Sequence, residues 1–172
     1  MDPLQAEFEQ GVGDRFAEWL SAKTGSPCRF LRRADRAPDL VYAFANGELL
    51  VEITAAYYDS QHAKFLWESA RCKPSAPVGW AGVDPSKSLA GAISTCIREK
   101  SKKQYGANVV LLVEVPPGVT SAEDLQQLLA AHQLPDAAPF VGIYVVGNFP
   151  ITSNSSGGYR VIPVKSIAER DA

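Results

Sequence analysis

Two acidic residues stand in a stretch that otherwise asks for apolar ones. Asp39 follows Pro38 at the head of the run 39–44 (DLVYAF), and Glu52 lies inside the run 48–55 (ELLVEITA). Between the runs, Asn46-Gly47 is a strong hairpin turn signal. Paired strands lie about 4.8 Å apart, so carboxylates at corresponding levels of the two arms can converge on one hard cation. Strand alternation puts Glu52 and Thr54 on one face and Val51 and Ile53 on the other. A charge in the centre of LLVEITA breaks the local pattern, and such breaks concentrate at functional sites.

Other residues could join them. Ile93, Ile97, Lys100 and Gln104 follow one another at helical steps, which places Lys100 on the core-facing stripe of a helix over 86–105, with Lys103 one further step on. Glu9 stands beside the apolar stripe of the first helix, where Val12 and Phe16 let it lean toward a sheet; Glu7 and Glu18 are weaker alternatives. Arg29, Arg32, Arg33 and Arg36 form one basic cluster, and Arg98, Lys100, Lys102 and Lys103 a second, in a chain whose net charge is −2. Clustering of this kind suits phosphate contacts made without base reading. Of the two histidines, His62 and His132, the second falls on the apolar stripe of its helix.

The elements that must position these residues can be read from periodicity. Residues 2–23 form a helix, capped by Asp2, with Pro3 in the first turn and Gly25 as its stop. Gly11 and Gly13 interrupt it; no strand precedes them and no Gly-Lys-Ser/Thr follows, so they imply close helix packing and not a phosphate loop. A strand over 28–31 and the hairpin 39–55 make a meander. A helical pattern over 59–71 leads into an irregular Pro-rich stretch containing Trp80, which suits a core cap or a base-stacking residue. The helix over 86–105, capped by Asp84 or Ser86 and ended by Gly106, comes next. The run 108–115 (NVVLLVEV) is apolar enough to be covered on both faces. Thr120-Ser121-Ala122-Glu123 matches a capping box ahead of a short helix. Strands over 140–147 and 159–164 complete the chain, the last at an edge. The expectation is one α/β domain over 1–172, a mixed central sheet flanked by helices, with residues 120–165 extending the sheet.

Pro-Asp, a hairpin, then Glu-x-Lys is the signature of the PD-(D/E)xK nuclease superfamily, whose restriction-endonuclease-like core is helix, three strands, helix, strand. The chain resembles that family over roughly residues 5–115, through Pro38-Asp39, Glu52-Ile53-Thr54 and this order of elements. The resemblance implies a metal-dependent nuclease hydrolysing DNA phosphodiester bonds in a defence, repair or mobile-element setting. Mg²⁺ (or Mn²⁺) would be held by Glu9, Asp39 and Glu52, an oxygen-rich set of the kind this ion prefers. The sequence departs from the family at Thr54, where the pattern has the lysine that positions or polarises the attacking water. Relatives can carry that lysine on the following helix, which makes Lys100 the first replacement and Lys103 the second, with Thr54 left to hydrogen-bond the water. Arg32, Arg33, Arg36 and Lys102 would contact the nucleic acid, and a homodimer or a partner subunit is expected to supply target recognition.

Composition sets the frame. The chain has 172 residues, is 46% hydrophobic and 21% charged, and balances 17 basic against 19 acidic residues, which is ordinary for one globular domain and excludes disordered, collagen-like and coiled-coil classes. It has neither a membrane-length apolar run nor a signal-peptide core at the N-terminus. Three cysteines without CxxC spacing argue against a disulfide framework or zinc knuckle and for a cytoplasmic, thiol-reduced setting. Walker, Rossmann and HExxH patterns are absent. A reading from a different class keeps the fold without catalysis, as a restriction-endonuclease-like module binding protein or nucleic acid. In it Glu52 is a solvent-facing strand charge, and Lys100, Lys102 and Lys103 are the basic end of a helix dipole. The missing motif lysine supports that reading, and the direction of the Glu52 side chain separates the two.

Overall fold

The computed structural model describes residues 2–58, 68, 84–118, 120–131, 139–152 and 157–167. In chain order these form α1 (Pro3–Thr24), β1 (Cys28–Arg33), β2 (Leu40–Phe44), β3 (Gly47–Ala55), α2 (Pro85–Ser101), β4 (Val109–Val115), α3 (Ala122–Ala130), β5 (Gly142–Phe149) and β6 (Gly158–Lys165). Apart from Glu68, the expected helix over 59–71 lies outside the described residues, as do Trp80 and both histidines.

The six strands make one sheet in the order β1-β2-β3-β4-β5-β6. β1, β2 and β3 pair antiparallel, β3, β4 and β5 pair parallel, and β6 returns antiparallel to β5. This is the mixed α/β architecture that the alternation of apolar runs and helical stripes implies. β4 lies at its centre, and its residues are buried toward both sides. Val109, Leu111, Val113 and Val115 pack with α2 and α3, whereas Val110 and Leu112 pack with α1. Strand alternation thus divides one apolar run between two cores. No described helix is long and apolar enough to cross a membrane.

α1 is bounded as its sequence implies. The Asp2 side chain accepts from Leu4 N–H at 3.1 Å, and Gly25 ends the helix at φ 73°. The two glycines inside it have different roles. A Cβ on Gly13 would come within 2.5 Å of both Leu40 Cδ1 and Tyr42 Oη, whereas one on Gly11 would meet nothing within 4 Å. The expectation of close packing therefore holds at Gly13 and not at Gly11.

Three boundaries differ from expectation. The hairpin pairs Phe44 with Gly47, so Ala45 and Asn46 are the turn residues, and Gly47 opens β3. Ala45, one residue ahead of the expected Asn46-Gly47 turn pair, takes a left-handed conformation at φ 51°. α2 ends at Ser101, so Lys103 and Tyr105 lie beyond it. α3 is capped by Ser121, which accepts from Asp124 N–H at 3.1 Å, one residue later than the Thr120 capping box.

β1 carries a bulge between Phe30 and Arg32. The extra residue, Leu31, reverses the alternation, so Arg32 faces Val41 and Arg33 faces Leu40. Leu40 belongs to the core beneath α1. The bulge thus turns Arg33 toward α1 and Arg32 to the opposite face.

The two glycines of α1 give a paired test. Gly13→Ala should destabilise the protein by about 1–3 kcal/mol through overpacking against Leu40 and Tyr42. Gly11→Ala should stabilise it by up to about 1 kcal/mol through helix propensity alone. Urea denaturation of the two variants checks both signs.

Candidate active site

The β2–β3 hairpin brings the two carboxylates together. Its register pairs Leu40 with Val51, and one further step sets Asp39 opposite Glu52 on the face that α2 covers. Asp39 is fixed by backbone: Ile53 N–H donates to its Oδ2 at 2.8 Å, and Ala34 N–H donates to its carbonyl at 3.1 Å. Burial, with the nearby charges of Glu52 and Glu9, pushes its carboxyl up to about 6 against the opposing pull of the Ile53 N–H and Lys100. Like charges on directly opposed strand positions repel, so this pair persists only where something compensates.

That compensation comes from α2. The helix runs back along β3, with Cys96 Sγ 3.7 Å from the Ala55 carbonyl. One turn on, Lys100 Nζ lies 2.5 Å from Glu52 Oε1 and 3.4 Å from the Ile53 carbonyl. Ile93 and Ile97, fully buried, hold this stripe of α2 on the sheet. Tyr105, past the helix end, donates its hydroxyl to the same Glu52 Oε1 at 3.0 Å. Glu52 is 2% exposed, so it is neither an edge-strand charge nor turned to solvent.

Two carboxylate oxygens are left open here. Glu52 Oε2 is buried with no hydrogen-bond partner, and Asp39 Oδ1 makes no hydrogen bond within the described residues. A buried anionic oxygen without a donor is costly unless a proton, a water or a cation reaches it. Two carboxylates completed by water and substrate phosphate are a ligand set that Mg²⁺ takes, so the residues present fit a divalent ion. Among the described residues, no group of three His, Cys, Asp or Glu side chains is placed to hold a metal by itself.

Glu9 has partners of its own. It is buried, but Arg33 donates to its Oε2 at 2.6 Å and Gln5 to its Oε1 at 2.9 Å. Arg33 also donates to the Ala6 carbonyl at 2.6 Å. Of the expected metal ligand Glu9 and nucleic-acid contact Arg33, the structure makes an ion pair: the β1 bulge turns the arginine inward to Glu9, whose charge still acts on Asp39. The expectation for Lys103 is corrected. The helix ends before it and it is exposed, so Lys100 is the lysine at the carboxylates.

The remaining candidates are spread more widely. Thr54 shares the Glu52 face but lies against Cys96, whose thiol is pushed up by burial and partly drawn back by the Thr54 hydrogen bond and Lys100 charge. Arg32 is exposed and 3.3 Å from Glu48. Arg29 and Arg36 are exposed, and Lys102 pairs with Glu99 at 2.6 Å on the surface. Sequence reasoning missed Tyr105 as a site residue, since its expected helical position gave no sign that its hydroxyl would reach β3.

No protein-family model matches the chain, and no curated protein matches it. Among solved structures, SfsA of Pyrococcus furiosus, in complex with Ca²⁺, is similar over 90% of this chain and 63% of its own, at 14% identity and a TM-score of 0.30. The chain thus spans less than two thirds of that neighbour, and a likeness at this level carries no argument about the site.

Removing one partner of a buried ion pair strands the other. Lys100→Met should destabilise the protein by about 3–5 kcal/mol at neutral pH, and adding Glu52→Leu should recover much of that loss. Denaturant melts of the single and double variants read the coupling.

A separate carboxylate gives a pH test. Glu114 lies on β4 on the α1 face, and burial pushes it from 4.5 up to about 7, with Arg15 opposing. The folded state then holds this proton more tightly than the unfolded chain does. Stability from this group is therefore greatest at low pH and falls as pH rises from 4.5 through about 7. Glu114→Gln should remove that slope and exceed wild-type stability at pH ~8 by about 1–3 kcal/mol. Unfolding curves measured at acid and at alkaline pH check the sign.

Proposed function

We propose that this chain is a metal-dependent nuclease of the PD-(D/E)xK type, cutting DNA phosphodiester bonds, with Asp39 and Glu52 as its carboxylate ligands. Lys100 stands in for the motif lysine that Thr54 replaces. The observation that carries the reading is the buried Glu52 carboxylate, which takes Lys100 on Oε1 and leaves Oε2 without a partner beside Asp39.

Each residue has a task in that chemistry. Asp39, pinned by the Ile53 N–H, keeps Oδ1 available. Glu52 is held from one side only. The Lys100 ammonium has three donors and spends two, on Glu52 Oε1 and the Ile53 carbonyl. Its third can orient a water or a phosphate oxygen. Mg²⁺ or Mn²⁺, when bound, supplies a Lewis acid for the phosphodiester and lowers the pKa of its water. The exposed Arg29, Arg32 and Arg36 on and just after β1, with Lys102 beyond α2, are the proposed backbone contacts. Binding through them would weaken steeply with salt.

Thr54 at the motif position, and the mutual neutralisation of Glu9 and Arg33, favour a second reading: a non-catalytic module of the same fold. The two are separated by calorimetry with Mn²⁺ and Mg²⁺ on wild type, Asp39→Ala and Glu52→Ala, followed by incubation with DNA and RNA substrates. The nuclease reading expects metal binding that both substitutions abolish in folded protein. It also expects DNA cleavage that falls about a hundredfold or more in a folded Lys100 variant such as Lys100→Gln. Metal binding without cleavage of any substrate would leave the module, and absence of metal binding would remove both the ion and the nuclease.

A further inference from the structure

The donors on Glu52 are distributed unevenly. Lys100 Nζ and Tyr105 Oη both address Oε1, and nothing among the described residues addresses Oε2. A carboxylate buried only for stability would share its donors between its oxygens, because buried polar atoms are almost always satisfied. Here the two donors act from one side and hold the open oxygen in place. Resting on the metal reading above, we propose that Tyr105 is the positioning residue of Glu52, locking its carboxylate with Oε2 presented to a divalent cation.

The anchoring of Tyr105 supports this. It lies beyond the end of α2, outside any helix or strand, so helical geometry does not set its place. Its ring packs at 5.0 Å on Phe140, which is 1% exposed and whose carbonyl accepts from Lys165 Nζ at 2.5 Å. The hydroxyl is thus held by the β5–β6 side of the core, independently of the helix that carries Lys100. The last torsion of a glutamate is broad and roughly two-fold, so a single donor would leave the carboxylate free to swing. Donors from two separately anchored elements restrict that swing.

Tyr105→Phe keeps the ring on Phe140 and removes only the hydroxyl. Mn²⁺ affinity, measured by calorimetry, should fall about tenfold to a hundredfold, as it does when a residue supporting a metal ligand is lost. The thermal midpoint should stay near that of wild type. Any DNA cleavage lost by the variant should return at saturating Mn²⁺, which loss of a proton-transferring group would not allow. As a check that needs no folded variant, the Tyr105 Cζ resonance of wild type should move when Mg²⁺ is added. Unchanged Mn²⁺ affinity in folded Tyr105→Phe, or an unmoved resonance in wild type that binds Mg²⁺, would overturn the role of Tyr105 and leave the metal site standing. Absence of metal binding by wild type removes the metal reading and this one together.

Discussion

A buried negative charge on β3 is the constraint around which the rest of this structure is arranged. Removing a carboxylate from water costs several kcal/mol, and the protein offsets this only by bringing a cation and a hydroxyl to the same point. Lys100 and Tyr105 do so at Glu52 Oε1. Their reach requires α2 to lie along β3, and Tyr105 to be held from the β5 end of the same core by Phe140. The pair therefore ties a helix, a hairpin and the β5 region into one unit. It is an ion pair whose value for stability is small once desolvation is counted, which directs attention to what else the charge does.

The hairpin adds to that constraint. Its register sets Asp39 across from Glu52, and burial, with the charge of Glu52 added, pushes the Asp39 carboxyl up to about 6. An arrangement selected for stability alone would not place them there. A single bulge on β1 decides a second question, that of the neighbouring charges. By shifting alternation at Leu31 it sends Arg33 to Glu9 under α1 and leaves Arg32 on the carboxylate face. One inserted residue thereby gives Glu9 a cation and withdraws one arginine from the surface.

The sheet is what makes this geometry rigid. Parallel pairing of β3 with β4, and of β4 with β5, requires crossover segments. The described helices α2 and α3 both pack on one face while α1 closes the other. Asp39, Glu52 and Lys100 stand on regular elements or directly at their ends. Side chains on such elements are placed more tightly than those on free loops, which suits chemistry that depends on fixed distances.

Periodicity alone determined the strands, the three described helices and the α/β class, because a period of two or of 3.6 reports directly which residues must leave water. It also determined which residues were anomalous. Glu52 breaks an apolar strand and Lys100 falls on an apolar helical stripe, and both are local facts of the sequence. Pairwise distances and directions belonged to the tertiary structure. That Glu52 points inward depends on α2 covering that face. That Glu9 is neutralised depends on a bulge whose only trace in the sequence is one residue in Cys28–Arg33. That Tyr105, past the end of α2 at Ser101, reaches β3 depends on packing against Phe140, just ahead of β5, while Lys103 is left on the surface. The physical reason is common to all three: local pattern fixes which face of an element is apolar, while register, bulges and helix ends are settled only when elements meet and their buried polar groups must find partners.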